Sequence, residues 1–342
     1  MNNNMIIINF CKTYNFGHVI SITKLFGGLM HKMLKVETDK DTYCFKILNP
    51  EVMSRSEAYN NFVRSETISN FVKENGIFAS NALKIDGKYL TKYNDFYFMI
   101  FKFIDGKILK DEEITIDHCR KIGYILAHIH SLDFNKLGIN PPLLQNNKII
   151  DWEKYTKNSN YDKMSYKEIY LKNYKKYDSL YLEAYKKLII SNKNLAICHL
   201  DMDPKNVMWE NNNPIIIDWE CAGISNPDRE IFEDALCWSG FLSNNFNHEK
   251  FLVIFKEYSK YRKIDDIDWY NVAFGNLIGR LEWLKYNLER SLGIISNDRD
   301  EIELAKNEVI KTIDELNRYL ELIDELINII ISIICEKNKK MN

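Results

Sequence analysis

The sequence lacks the cysteine and histidine patterns that hold metals or build disulfide frameworks. It has seven cysteines, an odd number, and they are scattered along the chain with no C-x-x-C pair. No group of histidines stands at the spacing of metal ligands. This distribution argues against a structural zinc site and predicts free thiols in a reducing compartment.

The sequence also lacks an excess of one charge and an apolar run long enough to cross a membrane. Its formal net charge is -2 over 342 residues, so composition gives no reason to expect nucleic acid or a membrane as a partner. The most apolar segment, residues 326–334, is far shorter than the about 20 residues that a membrane-spanning helix needs. The first five residues have no basic start, which argues against a secretory signal. We therefore expect a cytoplasmic protein.

What the sequence does contain predicts two lobes, because 342 residues exceed the usual size of a single hydrophobic core. The N-terminal part alternates strand-like and helical patterns. The predicted strands are residues 19–26, 30–38, 42–48, 82–85 and 96–104, and the predicted helices are residues 5–16 and 54–75. Gly76 follows the second helix where a C-terminal cap is expected. We predict a small antiparallel sheet with one main helix, residues 54–75.

After residue 104 the pattern changes to long helical runs, interrupted by strand-like residues 195–209 and 214–219. We predict an α+β fold with an N-terminal lobe of residues 1–104 and a larger, mainly helical lobe of residues 105–342. The last helix carries apolar residues in steps mostly of three and four from Ile302 to Ile334. This stripe fits a coiled-coil dimer or a helix packed on its own chain, so a monomer and a homodimer both stay open.

The segment that carries chemical information runs from Cys198 to Glu220. It contains H-L-D-M-D-P-K-N, in which Asp201 precedes Asn206 by five residues, and then I-I-I-D-W-E, in which three isoleucines precede Asp218. The two motifs resemble the phosphotransfer signature of the aminoglycoside phosphotransferase and choline kinase family. The resemblance covers nearly the whole chain. It implies a bilobal, protein-kinase-like fold and a kinase that uses ATP, or GTP as some relatives do, together with Mg²⁺.

The spacing of these residues suits phosphoryl transfer, in which a protein mainly positions the reactants and neutralises charge. Asp201, on a loop, can accept a hydrogen bond from the acceptor hydroxyl and orient it toward the γ-phosphate, which makes it the predicted catalytic residue. Asn206 and Asp218 offer the oxygen ligands that Mg²⁺ prefers, and the isoleucine strand would hold Asp218 rigidly. His199 is expected to be a buried structural residue that braces the loop.

The resemblance assigns the phosphate contacts of the nucleotide to the N-terminal lobe. Lys46 lies within an apolar strand, where its charge needs a partner, and it would bind the α- and β-phosphates. The expected ion-pair partner of Lys46 is Glu66 on the following helix, and Glu57 is the alternative. Taken alone, a lysine in a strand is more often an ordinary surface residue.

Two further segments are candidates for nucleotide contacts. Gly27-Gly28 would let the backbone approach the phosphates, although a glycine pair is also common in an ordinary hairpin turn. Phe101 and Phe103 mark a segment that resembles the hinge between lobes, where backbone groups would hydrogen-bond the nucleobase. An edge strand fits Phe101 and Phe103 equally well.

Departures from protein kinases disfavour a protein substrate. Asp203 stands where protein kinases carry a lysine, two residues after the catalytic aspartate, and Asp218 is followed by Trp219-Glu220 rather than Phe-Gly. After Glu220 the chain enters a helix almost at once, without a long activation segment. We therefore expect a small-molecule acceptor.

The acceptor would be recognised by the helical lobe, where carboxylates stand beside aromatic residues on two predicted helices. The candidate residues are Glu230, Glu233, Asp234, Trp238, Glu282, Trp283 and Tyr286. Such residues suit a cationic acceptor, through ion pairs with an aminated sugar or cation–π contacts with a quaternary amine. The same pattern is also typical of amphipathic helices whose aromatic residues face the core.

The sequence leaves three functions open. The first is a kinase like the aminoglycoside phosphotransferases. The second is a metabolic kinase for choline, an amino alcohol or a sugar, and the third is a catalytically inactive kinase-like protein used for binding or on spore surfaces. The third is disfavoured because Lys46, Asp201, Asn206 and Asp218 are all present.

Overall fold

The computed structural model describes residues 3–25, 31–141 and 149–341. The chain divides into two compact units, neither of which is continuous in sequence. The first unit comprises Met1–Ile114, Ile129–Asn140 and Ile197–Ile224, and the second comprises Thr115–His128, Pro141–Ala196 and Ser225–Asn342. The segment around Asp201 and Asp218 thus belongs to the same unit as the N-terminal sheet, whereas the boundary expected from the sequence divides the chain only once, after residue 104.

A five-stranded sheet forms the N-terminal part of the first unit, and all its neighbouring strands are antiparallel, as the sequence predicted. Its strands are β1 (Val19–Lys24), β2 (Lys32–Thr38), β3 (Thr42–Ile47), β4 (Thr91–Tyr93) and β5 (Phe96–Lys102), in the order β1-β2-β3-β5-β4. Lys46 pairs with Met33 on one side and Met99 on the other. The lysine therefore lies on the central strand of the sheet, with paired backbone on both sides.

Helices contribute to two apolar clusters built on this sheet. The helices are α1 (Asn3–Thr13), α2 (Pro50–Met53) and α3 (Ala58–Glu74). Phe10 of α1 packs in one cluster with Phe98, and Phe62 of α3 packs in the other with Met99. Phe98 and Met99 belong to different clusters because successive side chains of a strand point to opposite faces. The single helix predicted over residues 54–75 is shorter in the structure and begins at Ala58.

The stretch that follows α3 differs in part from the prediction. Gly76 has φ of 91°, the left-handed conformation that glycine commonly adopts after a helix, as expected. Residues 82–85 do not form the predicted strand. The N–H of Ala82 donates to the carboxylate of Glu66, and the N–H of Leu83 donates to the carbonyl of Ile100. Separate contacts of this kind replace the regular ladder that a strand would need.

The remaining strands of the first unit frame the Asp201 segment. They are β6 (Lys107–Ile108), β7 (Ala196–Cys198), β8 (Val207–Glu210), β9 (Asn213–Ile216) and β10 (Gly223–Ser225). Strands β8 and β9 form an antiparallel hairpin whose two-residue turn is Asn211-Asn212, with φ of 49° and 64°. Positive φ angles at both positions are typical of the type I′ turn, in which asparagine is favoured. The hairpin also pairs with β6, and β7 pairs with β10, so the loops between these strands start from fixed ends.

The second unit is mainly helical, which confirms the α+β class. The helices after α3 are α4 (Ile116–His130), α5 (Glu153–Thr156), α6 (Lys167–Ser191), α7 (Pro227–Trp238), α8 (His248–Tyr258), α9 (Trp269–Ser291) and α10 (Arg299–Met341). Both α6 and α10 pack against α9. The apolar stripe of α10 is buried at Val309, Ile313, Leu316 and Ile330, so it faces its own chain. Within the described part of the chain, no helix has the length and apolar character needed to cross a membrane.

Candidate active site

Asp201 lies on a loop that leaves the buried strand β7. The residue before it, Leu200, has φ of 66°, which is uncommon for any residue other than glycine. His199 is fully buried, and its Nδ1 accepts the N–H of Asp201 at 3.3 Å while its Nε2 donates to the carbonyl of Ile217 at 3.0 Å. His199 therefore ties Asp201 to the chain just before Asp218, which confirms its expected structural role.

A capped turn places Asn206 beside Asp201. Asp203 accepts a hydrogen bond from the N–H of Lys205 at 3.1 Å, and Pro204 begins the turn, as at the start of many helices. Asn206 is buried, and its Nδ2 donates to the carbonyl of Asp201 at 2.7 Å and to the carboxylate Oδ2 at 2.8 Å. Because the nitrogen end of the amide is held by Asp201, the oxygen end is directed away from it.

Asp218 lies two residues after the end of strand β9. The N–H of Ile217 donates to the carbonyl of Asn206 at 2.9 Å, which extends the hairpin by one contact and brings the backbones of Asn206 and Asp218 together. Asp218 has φ of 57° and ψ of 59°, a left-handed conformation that costs backbone energy and that clusters at functional sites. A carboxylate and an amide oxygen on one hairpin form a donor set that fits Mg²⁺.

Lys46 makes two contacts with the segment that follows β9. Its ammonium lies 2.8 Å from Oδ1 of Asp218 and 2.8 Å from Oε2 of Glu220, and its side chain is only 9% exposed. Burial alone would lower the pKa of Lys46, but the charges of Asp218 and Glu220 outweigh it and raise the pKa. The lysine is therefore a fixed positive charge next to the predicted metal ligand.

The predicted ion pair between Lys46 and Glu66 is absent, and this corrects the sequence-based assignment. Among the residues that the structure describes, Lys46 has no ion pair with Glu66 or with the alternative, Glu57. Glu66 is buried on α3, and its carboxylate accepts the N–H of Ala82 at 2.8 Å. Burial raises the pKa of Glu66 to about 7. A carboxyl of this kind is a weak counter-charge near neutral pH, and Lys46 pairs with the carboxylates beyond β9 instead.

Glu220 is a site residue whose role the sequence did not predict. In addition to Lys46, its Oε2 contacts Nε2 of His31 at 3.4 Å. His31 is buried, and its Nδ1 accepts the N–H of Asn49 at 3.1 Å. Burial would raise the pKa of Glu220, but the hydrogen bond from His31 and the charge of Lys46 lower it to about 2. The D-W-E motif contained the signal, since a second carboxylate stands two residues after Asp218, but only the fold brings His31 to it.

Lys205 is a second residue that the sequence did not single out. Its ammonium lies 3.2 Å from Oδ1 of Asp201 and 2.7 Å from Oδ2 of Asp203. Burial raises the pKa of Asp201, the charge of Lys205 opposes this shift, and the charge of Asp203 adds to it. A carboxylate with a raised pKa is a better proton acceptor near neutral pH than an ordinary aspartate.

The other predicted nucleotide contacts, Gly27-Gly28, Phe101 and Phe103, stay predictions. Gly27-Gly28 lies outside the described residues. Phe101 packs against the cluster that contains Met99, and the ring centre of Phe103 lies 4.7 Å from the ammonium of Lys35. The N–H of Phe103 donates to the carbonyl of Thr42 at 3.0 Å. This contact takes up one of the backbone donors that the hinge assignment would offer to a nucleobase.

The acceptor candidates on α7 are mostly enclosed by the second unit. Trp238 is fully buried, and Glu230 and Asp234 are buried as well. Glu233 accepts two hydrogen bonds from the guanidinium of Arg280 on α9, at 2.7 and 2.8 Å. These findings contradict a direct acceptor contact for Trp238, which has no exposed surface, and show that the charge of Glu233 is already paired. Helices α8 and α9 pack against α7, while the side chain of Glu233 stays 37% exposed.

The candidates on α9 are exposed. Trp283 and Tyr286 are 44% and 41% exposed, and their rings stack with centres 5.6 Å apart. Glu282 is exposed beside them and lies 3.4 Å from the hydroxyl of Tyr181. The guanidinium of Arg290 lies 5.3 Å from the ring centre of Tyr286. Of the seven predicted acceptor residues, these three are exposed, and Glu233 is 37% exposed but paired with Arg280.

Comparison with known proteins gives a match at the level of the family. The sequence model of the phosphotransferase enzyme family matches residues 22–249, a range that includes Lys46, Asp201, Asn206 and Asp218. No curated protein matches the chain. The match spans more than half of the 342 residues, and it agrees with the family predicted from the two motifs.

Three solved structures show the same fold at low sequence identity. Spectinomycin phosphotransferase, in complex with ADP and spectinomycin, is 13% identical with a TM-score of 0.68, over 93% of this chain and 98% of that chain. An amicoumacin kinase in complex with AMP-PNP and Ca²⁺ is 11% identical with a TM-score of 0.61, over 92% and 94%. A choline kinase from Cryptosporidium parvum is 16% identical with a TM-score of 0.57, over 94% and 97%.

These likenesses confirm the kinase-like fold that the motifs predicted, and the family match supplies the chemistry. The match contains the loop of Asp201, the hairpin flanked by Asn206 and Asp218, and the strand that carries Lys46. The chain belongs to the phosphotransferase enzyme family, and it is a small-molecule kinase that transfers a phosphoryl group to a hydroxyl acceptor.

Proposed function

We propose that the protein transfers the γ-phosphate of ATP to a hydroxyl of a small, cationic acceptor in the cytoplasm, as an aminoglycoside phosphotransferase would. The observation that carries the proposal is the set formed by Lys46, Asp201, Asn206 and Asp218, which we call the phosphotransfer network. Its members are joined by the Lys46–Asp218 ion pair, the Asn206–Asp201 hydrogen bonds and the hairpin between them. ADP and AMP-PNP in the similar structures support a nucleotide donor, with GTP as the alternative.

Asp201 is the proposed catalytic residue because its carboxylate is both fixed and accessible. His199 and Asn206 hold its backbone and one carboxylate oxygen, while its side chain stays 37% exposed. A hydroxyl that approaches from solvent can donate to this carboxylate and be aligned with the phosphorus. Its raised pKa favours uptake of the hydroxyl proton during transfer.

Asn206 and Asp218 are the residues that would hold Mg²⁺. The amide nitrogen of Asn206 is committed to Asp201, which leaves its oxygen for the ion. Oδ1 of Asp218 accepts a hydrogen bond from Lys46, and Oδ2 would bind the ion. When bound, Mg²⁺ supplies positive charge that neutralises the phosphate oxygens.

Lys46 is the proposed contact for the α- and β-phosphates. A lysine ammonium has three donors, and two are directed at Asp218 and Glu220. Lys46 lies on the central strand of the sheet and its ammonium is already held by two carboxylates, so its side chain loses little conformational freedom when a phosphate binds. Glu66 stays a predicted member of the nucleotide site, but its carboxylate is engaged with Ala82.

The acceptor surface of α9 supports a cationic substrate. Glu282 offers a negative charge beside the stacked rings of Trp283 and Tyr286, and aromatic faces attract cations. The similar structures include enzymes named for spectinomycin and choline, which supports a small acceptor of either the antibiotic or the metabolic kind. A kinase for choline, an amino alcohol or a sugar is the alternative to an antibiotic-modifying enzyme.

The proposal is tested by measuring coupled release of ADP or GDP with ATP and GTP against a panel of acceptors. The panel contains aminoglycosides, spectinomycin, choline, ethanolamine, amino sugars, homoserine and thioribose compounds, and Asp201→Asn is the matched control. Turnover by the wild type with one class, absent in the control, would establish the function and the acceptor. Equal rates for the wild type and Asp201→Asn would overturn the proposal, and nucleotide binding without turnover would favour the inactive, binding alternative.

A further inference from the structure

The side chain of Lys205 is held beside the carboxylate of Asp201 by its own loop. Its ammonium lies 3.2 Å from Oδ1 of Asp201 and 2.7 Å from Oδ2 of Asp203. The side chain of Lys205 is 63% exposed, whereas that of Asp203 is only 16% exposed. An exposed lysine ordinarily keeps most of its rotamer freedom, and an isolated surface pair contributes little to stability. A lysine fixed at this position is therefore better explained by the site than by stability.

Asp203 fixes Lys205 through both carboxylate oxygens. Oδ1 accepts the backbone N–H of Lys205 at 3.1 Å, and Oδ2 accepts its ammonium at 2.7 Å. Because the capping contact sets the backbone of the turn, the same aspartate sets the direction in which the lysine side chain leaves it. The D-P-K-N turn thus places the ammonium of Lys205 beside Asp201 through contacts within residues 201–205.

The two lysines of the site serve two different sets of carboxylates. Lys46 is bonded to Asp218 and Glu220, next to the predicted metal ligands. Lys205 is bonded to Asp201 and Asp203, next to the point where the acceptor hydroxyl would dock. A phosphoryl group in transfer carries negative charge on its equatorial oxygens, and Asp201 would stand within a few ångströms of it. The position of Lys205 is therefore the one from which a cation could meet this charge.

We propose that Lys205 is a catalytic residue that contacts the γ-phosphoryl group during transfer, and that Asp203 is the residue that positions it. Two of the three ammonium donors are used by Asp201 and Asp203, and the third can donate to a phosphoryl oxygen. This inference rests on the proposed function. It also accounts for Asp203 at the position where protein kinases carry a lysine, because here the lysine enters the same loop two residues later.

The step conserves atoms and charge. The acceptor oxygen forms a bond to the γ-phosphorus, the bond from that phosphorus to the β–γ bridging oxygen breaks, and its electron pair leaves with the nucleoside diphosphate. The hydroxyl proton passes to Asp201, and Lys205 keeps its three protons throughout.

The test compares Lys205→Met with Lys107→Met in steady-state kinetics of phosphate transfer. Lys107 is the matched control because it is 64% exposed and forms a 2.8 Å ion pair with Glu113, which lies outside the site. We expect Lys205→Met to lower kcat by about 10- to 100-fold with both KM values within about threefold, the pattern of a contact made mainly in the transition state. Lys107→Met should match the wild type. Lys205→Arg should recover part of the lost rate because it keeps the charge.

A second measurement separates contact with the phosphoryl group from mere bracing of Asp201. ADP with tetrafluoroaluminate mimics the charged transferring group, so Lys205→Met should weaken its inhibition by about the same factor as kcat while leaving the affinity for ADP unchanged. A folded Lys205→Met variant with wild-type or higher kcat, or with unchanged tetrafluoroaluminate inhibition, would overturn the role of Lys205 alone. A wild type that transfers phosphate to no acceptor and does not hydrolyse ATP would remove the proposed function and this inference together.

Discussion

The phosphotransfer network and the ion pair between α7 and α9 both join carboxylates to cations, but their partners differ. Arg280 is 8% exposed, and it takes both carboxylate oxygens of Glu233. In the network, Asp218 has only one oxygen bonded to Lys46, and the cation beside Asp201 is an exposed lysine. In the first arrangement both carboxylate oxygens are bonded to one guanidinium and the pair joins α7 to α9, whereas the second leaves Oδ2 of Asp218 for a ligand. A charged residue therefore indicates a binding site only where a ligand can take the place of one of its partners or bind an oxygen that they leave open.

The largest effect that this comparison predicts is on catalysis at Asp201. Asp201→Asn keeps the size of the side chain but removes the proton acceptor, so kcat should fall by about 10²- to 10⁴-fold. Nucleotide affinity, measured by calorimetry, should stay within about threefold because Lys46 and Asp218 are unchanged. A variant with wild-type kcat would show that the open carboxylate is not part of the chemistry.

Glu66 extends the comparison, because it is a buried carboxyl that forms no ion pair with any residue in the described part of the chain. Its pKa is raised to about 7 from an ordinary value of 4.5, mainly by burial. Below pH 4.5 the group is protonated in both the folded and unfolded states, so it does not change the free energy of unfolding. As the pH rises to 7 the unfolded state ionises first, so this group lowers the free energy of unfolding by about 3 kcal/mol in total.

Glu66→Gln keeps an oxygen for the N–H of Ala82 and removes the titration. We expect the stability of this variant relative to the wild type, from urea unfolding, to rise between pH 4.5 and 7 and then level off. Glu74→Gln is the matched control, since Glu74 is exposed on the same helix. A difference for Glu66→Gln that does not change with pH would contradict the raised pKa.

The same contrast explains which features the sequence could predict. Asp201, Asn206 and Asp218 are positioned by a turn and a hairpin within 18 residues of sequence, so their spacing carries the geometry. The partner of Lys46 depends on how β3 meets a segment about 170 residues away, and the pairing with Glu66 was therefore predicted wrongly. Trp238 was misassigned for a similar reason, because helical spacing does not reveal which face α8 and α9 cover.

Changing the ion pair between Glu233 and Arg280 should alter the free energy of unfolding and leave kcat unchanged. Glu233→Gln leaves the guanidinium of Arg280 without its counter-charge in a buried position, which should lower the free energy of unfolding by about 2 kcal/mol. The kcat of the folded variant should stay within about twofold. Replacing both residues, Glu233→Leu with Arg280→Met, should recover much of the loss in urea unfolding. A strong fall in kcat with unchanged stability would return Glu233 to the list of acceptor residues.

The smallest effect concerns the backbone that presents Asp201. Leu200 has φ of 66°, a conformation that costs an L-residue about 1 kcal/mol or more, and that lets the N–H of Asp201 reach His199. Leu200→Gly removes this cost but gains freedom in the unfolded chain, so the two effects should nearly cancel and the stability should change by less than about 1 kcal/mol. Leu200→Val should destabilise by about 1–2 kcal/mol, because a branched side chain tolerates positive φ poorly. Calorimetric melting of the two variants orders them directly. If valine were tolerated as well as glycine, the left-handed residue would not be what holds the open carboxylate in place.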